Sequence, residues 1–130
     1  MSTTVLGVMG GQLESLVALY PGASAEPVGD GSVLVTLPSL SLPAGWNQPQ
    51  TTVQFLAPVG YPAANPDCFW ADASLRLAGG GMPVNTGLTP VPGTAEPRLW
   101  FSWHVTGWKP ASDTLLTYVR VVQERLRRIQ

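Results

Sequence analysis

Apolar and polar positions follow two rhythms along this chain, and the rhythms divide it into elements. Leu13, Leu16, Val17 and Tyr20 fall at i, i+3, i+4 and i+7, one face of a helix that Pro21-Gly22 stops. Residues 25–28 and 32–37 flank Gly29-Asp30-Gly31, whose glycines supply the positive φ of a tight turn, and so predict two antiparallel strands. A third strand follows at residues 51–57, with Val53, Phe55 and Ala57 on one face. Tyr61-Pro62 and Pro66 then impose an irregular path, because each proline fixes its own φ and pushes its predecessor out of the helical region. Cys68-Phe69-Trp70 is a brief fourth strand. Near the end, Leu115, Val119, Val122, Leu126 and Ile129 step by four, three, four and three along one stripe. They predict a helix opened by residues 110–112, with Ser112 or Asp113 as its cap.

Between the fourth strand and this helix lie two less regular segments. Residues 79–97 hold five glycines, four prolines and no charge before Glu96, a long loop of the kind compact domains keep when it has a role. Residues 98–105 read as an extended aromatic segment, with Phe101, Trp103 and Val105 facing one side and Trp100, Ser102 and His104 the other. There is no internal repeat and no linker. The order of helix, antiparallel meander, irregular segment and helix predicts a single α+β domain over residues 1–130, with helices on one face of the sheet.

Composition narrows the function. Charged residues make up 12 % of the chain, against about 25 % in an average soluble domain, so the surface is poor in charge and suited to partners. A net charge of −1 offers no basic face for nucleic acid. One cysteine excludes an internal disulfide, and with only Cys68 and His104 as soft ligands neither a metal nor a cofactor is expected. Residues 5–17 are moderately apolar and Ala23-Ser24-Ala25 resembles a cleavage site. No Lys or Arg precedes them, however, and Gln12 and Glu14 interrupt the run, so a cytoplasmic location is expected rather than secretion. No stretch reaches the ~18 apolar residues of a membrane span.

From Leu37 to Leu126 the motifs carry a resemblance. Leu42-Pro43-x-Gly45-Trp46, Pro58-x-Gly60-Tyr61-Pro62, Pro66-Asp67-x-Phe69-Trp70, Trp100-x-x-Trp103-His104 and Trp108-x-Pro110-x-x-Asp113 occur in this order. In order and spacing they resemble prokaryotic family E of the ubiquitin-conjugating (E2-like) superfamily. The resemblance implies an N-terminal helix, a four-stranded antiparallel meander, a long active-site loop and a C-terminal helix. It also implies a protein that accepts a ubiquitin-like protein from an E1-like activating enzyme and passes it to a target amine. A deubiquitinase-like peptidase of the same pathway is a further implied partner. The superfamily acceptor is a cysteine in the loop after the meander. Counting back from Trp108, it would lie near Trp100, where this chain has none.

Three side chains, with one supporting carboxylate, are therefore candidates for chemistry. His104 is the only imidazole, and on an extended segment it shares a face with Ser102. One reading makes Ser102 the acyl acceptor, as an oxyester, and His104 its base, since a serine needs a base more than a cysteine does. Their Cβ atoms would lie about 6–7 Å apart, long for a direct hydrogen bond. The plainer reading has His104 bonded to Asp113 or to backbone near Trp108, and Ser102 merely solvated. Cys68 offers the better nucleophile, but Asp67 beside it disfavours the thiolate, and Phe69 and Trp70 suggest packing. Asp113 either caps the last helix or orients His104 and polarises an incoming lysine. Arg120, Arg125, Arg127 and Arg128 either offset a helix dipole or meet a partner. Gly79-Gly80-Gly81 lacks the Lys-Ser/Thr and helix of a phosphate loop, and reads as flexibility or as room for the glycine tail of a ubiquitin-like protein. An E2-like module that only binds, without catalysis, remains the alternative.

Overall fold

The computed structural model describes residues 9–130; residues 5–8 of the apolar N-terminal stretch lie outside it. Helix α1 spans Gly10–Leu19, and strands β1 Ser24–Pro27, β2 Val33–Ser41 and β3 Gln50–Ala57 follow. Next come β4 Phe69–Ala71, β5 Thr86–Pro90, β6 Pro97–Phe101 and helix α2 Leu115–Leu126. Every strand pairing is antiparallel, in the order β1-β2-β3-β4-β6-β5. The fold is α+β, as expected, but one six-stranded sheet stands in place of the expected four-stranded meander with its separate extended segment.

The fifth strand lies inside the segment expected to be loop. Leu88 pairs with Leu99 and Pro90 with Pro97, so β5 and β6 form a hairpin with β6 inserted against β4. Gly87 and Pro90 hide this strand from propensity; an edge strand tolerates both, because one side of its ladder needs no donors. The extended segment is also shorter than expected. It ends at Phe101, although the Ser102 N–H still donates to the carbonyl of Asn85, the residue before β5, at 2.9 Å.

Period-two alternation determines what the sheet buries. Val33, Val35 and Leu37 of β2 face Ala57, Phe55 and Val53 of β3, and Phe69 faces Phe101 across β4 and β6, where their rings stack at 4.6 Å. These side chains are at most 1 % exposed. Helix α2 closes over them with Leu115, Tyr118, Val119, Val122 and Leu126, each large apolar side chain contributing roughly 1.5–3 kcal/mol. Ile129 lies past the helix end and is 41 % exposed. The cap is Thr114 rather than Ser112 or Asp113: its N–H donates to the Thr117 hydroxyl oxygen at 2.9 Å, and Gln12 Oε1 accepts from Leu115 N–H at 3.1 Å. At the other end, the Trp46 indole donates to the Leu126 carbonyl at 2.8 Å. Of the expected stripe on α1, only Leu16 is fully buried, and Val17 faces outward.

Leu34, Trp70 and Val91 form a smaller cluster on the opposite face of the sheet. Among the described residues, no helix is long and apolar enough to cross a membrane.

Candidate functional site

Antiparallel pairing of β4 with β6 brings the start of one strand beside the end of the other. Phe69 pairs with Phe101, so residues 67 and 68 emerge next to residues 102–104. Cys68 occupies the left-handed region at φ 65°. A residue with a Cβ is disfavoured there by roughly 1–2 kcal/mol, and such strain persists only where its surroundings hold it. Here the Cys68 N–H donates to the Trp103 carbonyl at 3.3 Å, and the Tyr118 hydroxyl donates to the Cys68 carbonyl at 2.6 Å. Burial pushes the Tyr118 phenol well up, so it stays protonated as that donor.

The turn has a chemical consequence. Consecutive side chains of an extended chain point to opposite faces; the left-handed residue breaks this alternation, and Asp67 and Cys68 both reach His104. The Asp67 carboxylate pairs with His104 Nδ1. One ligand atom from each of Asp67, Cys68 and His104 lies within 4.8 Å of the others. Asp67 and His104 are exposed and Cys68 is half-buried, so the group opens to solvent.

Burial, and then the Asp67 charge, push the Cys68 thiol above its ordinary value. The Trp100 indole and the Trp103 backbone oppose this through hydrogen bonds to the sulfur. At neutral pH the sulfur is therefore mainly thiol, and it needs a base at the moment of attack. The sign is testable. Alkylation by iodoacetamide follows the thiolate fraction, so Asp67→Asn, which removes one of the groups raising the thiol, is expected to speed alkylation of Cys68 at pH 7. An unchanged or slower rate would mean that Asp67 does not act on the sulfur.

The other sequence candidates fall elsewhere. Ser102 is half-buried and, among the described residues, shares no hydrogen bond with His104. The two do line one open depression of about 450 Å³, together with Asn85, Trp103 and Thr106. Asp113 accepts the Lys109 N–H at 2.7 Å and closes the turn before α2, so His104 is oriented by Asp67 and not by Asp113. Gly79-Gly80-Gly81 closes a turn under Leu77, whose N–H donates to the Gly81 carbonyl at 3.0 Å, and does not line the depression.

Arg125, expected either to offset a helix dipole or to meet a partner, lies in the last turn of α2 and is 1 % exposed. Its guanidinium donates to the main-chain oxygens of Arg128, Val84 and Gln130 at 2.9, 3.0 and 3.1 Å, and lies 5.1 Å from the Phe101 ring and 5.8 Å from the Trp103 ring. It thereby packs α2 against the end of β6 and against Trp103, the residue before His104. Two residues were missed as parts of the site. Asp67 was weighed only as a neighbour of Cys68, and its adjacency to the lone cysteine was the one available signal. Arg125 gave a signal too, because it falls on the apolar side of α2, between Val122 and Leu126.

An antiparallel sheet covered by a C-terminal helix, with a Trp-x-Pro corner leading into that helix, is the architecture expected from the E2-like motifs. The model of the family described as prokaryotic E2 family E matches residues 20–129. The chain belongs to this family, and so has an E2-like role in ubiquitin-like protein conjugation in prokaryotes, a role that involves ubiquitin-like proteins and E1-like enzymes in general. Neither the curated proteins nor the solved structures yield a match.

Proposed function

We propose that this chain carries a ubiquitin-like protein as a thioester on Cys68, with His104 as the base and Asp67 orienting it. The observation that supports this reading is the Asp67–His104 pair with the Cys68 sulfur beside it. Nucleophile, base and orienting carboxylate are the three parts that an activated thiol requires. With Nδ1 engaged by Asp67, Nε2 is the nitrogen free to take the thiol proton.

The reaction begins with the C-terminal acyl group of the ubiquitin-like protein held as a thioester on an E1-like enzyme. Cys68 Sγ attacks the acyl carbon as its proton passes to His104, and the new S–C bond forms. The E1 thiolate leaves and recovers that proton. A target amine then attacks the Cys68 thioester, an amide forms, and the Cys68 thiolate is released and reprotonated through His104. A thiol that is mostly protonated at rest suits a carrier, since it resists adventitious alkylation and oxidation between loadings.

The shared depression favours a second reading, in which His104 serves Ser102 and the acyl group is held as an oxyester. One experiment separates the readings: the chain is incubated with its E1-like enzyme, ATP and the mature ubiquitin-like protein. An adduct cleaved by thiols, lost in Cys68→Ala and kept in Ser102→Ala, supports the thioester. A thiol-resistant, base-labile adduct lost in Ser102→Ala would move the acceptor to the serine. A stable complex with no adduct would reduce the chain to a binding module.

A further inference from the structure

We infer that Asp67, Cys68 and His104 form a reversible Zn²⁺ site, and that Zn²⁺ bound there withdraws the Cys68 thiol from reaction. The masking part rests on the carrier reading above; the metal site does not. A carboxylate oxygen, a thiolate and an imidazole nitrogen are the ligand types Zn²⁺ takes. Around a tetrahedral zinc, with bonds of about 2.0–2.3 Å, such donor atoms stand roughly 3.3–3.8 Å apart. The three ligand atoms here already lie within 4.8 Å of one another. The pairs need only small adjustments, and they have the freedom: the His104 and Asp67 side chains are 62 % and 56 % exposed. The same exposure leaves the fourth position to water.

The sequence count of soft ligands, one Cys and one His, leaves out the carboxylate, and adjacent residues of an extended chain ordinarily face apart. Left-handed Cys68 removes that obstacle and holds both members of the Asp-Cys pair toward a histidine from another strand end. On binding, the S–Zn bond forms as the thiol proton passes to solvent, with no change in oxidation state.

Co²⁺ and then Zn²⁺, added to the metal-free full-length chain, provide the test. A thiolate-to-cobalt charge-transfer band should appear, vanish on adding Zn²⁺, be absent in Cys68→Ser, and require at least about tenfold more Co²⁺ in His104→Ala and Asp67→Asn. In the same chain Zn²⁺ should protect Cys68 from iodoacetamide, and a chelator should restore its reaction. Absence of the band in the wild type, or a band that survives Cys68→Ser, overturns the site. A band without protection from alkylation overturns the masking. If the metal-free chain accepts no ubiquitin-like protein, the carrier reading fails, while the cobalt band still decides the metal site by itself.

Discussion

Cys68→Gly is expected to leave a more stable protein that no longer forms the adduct. At φ 65° a glycine meets no steric penalty from a Cβ, and releasing that strain is worth roughly 1 kcal/mol, partly offset by the greater freedom of glycine in the unfolded chain. The same change removes the nucleophile, at a cost of roughly 10³-fold or more in transfer rate. His104→Ala, which keeps the thiol but removes its base, should cost about 10²–10⁴-fold and leave stability within roughly 0.5 kcal/mol, since its side chain is exposed. Paired melting curves and adduct gels read both effects. If Cys68→Gly forms the adduct at the wild-type rate, Cys68 is not the acceptor. If it melts well below the wild type, the left-handed turn is not a strained position.

Arg125→Met should have the largest effect on stability, about 3 kcal/mol, seen as a fall of about 10 °C in the melting temperature of a chain of this size. The methionine fills much of the space but cannot donate. The oxygens of Val84, Arg128 and Gln130 would lose their guanidinium donor, although Gln130 keeps the Val84 N–H at 3.2 Å, and each acceptor that water cannot reach costs roughly 1–3 kcal/mol. Arg125→Lys should recover only part of the loss, because a single ammonium cannot span three acceptors and also lie flat beside the Phe101 and Trp103 rings. A Met variant as stable as the wild type would show that water satisfies these oxygens and that apolar packing alone holds the helix.

Both predictions concern residues that sequence reading described only in part, and for related reasons. Arg125 was read by charge, as one of four arginines near a helix end; its position on the apolar stripe outweighs its charge once three main-chain oxygens and two aromatic rings surround it. Cys68 was read by its neighbours in sequence. Phe69 and Trp70 are indeed buried, but left-handed Cys68 is only half-buried and its sulfur lies beside Asp67 and His104. Residue type gives only a weak signal for that conformation, since cysteine is not among the residues that favour it. The strand at Thr86–Pro90 went unseen because its pairing with β6 outweighs the low strand propensity of Gly87 and Pro90.

The sequence by itself determined the helices, five of the six strands, the α+β class and, through the order of its Pro, Trp and Tyr motifs, the E2-like family. Those features are local or periodic: a stripe every three to four residues, an alternation of two, a proline that fixes its own φ. It also limited the candidate chemistry to one thiol, one imidazole and one serine with an acidic helper. Only the tertiary structure decided how these combine. The Asp67–His104 pair spans 37 residues of chain, and no local pattern encodes a contact that depends on two strands meeting in antiparallel register and one residue turning left-handed between them.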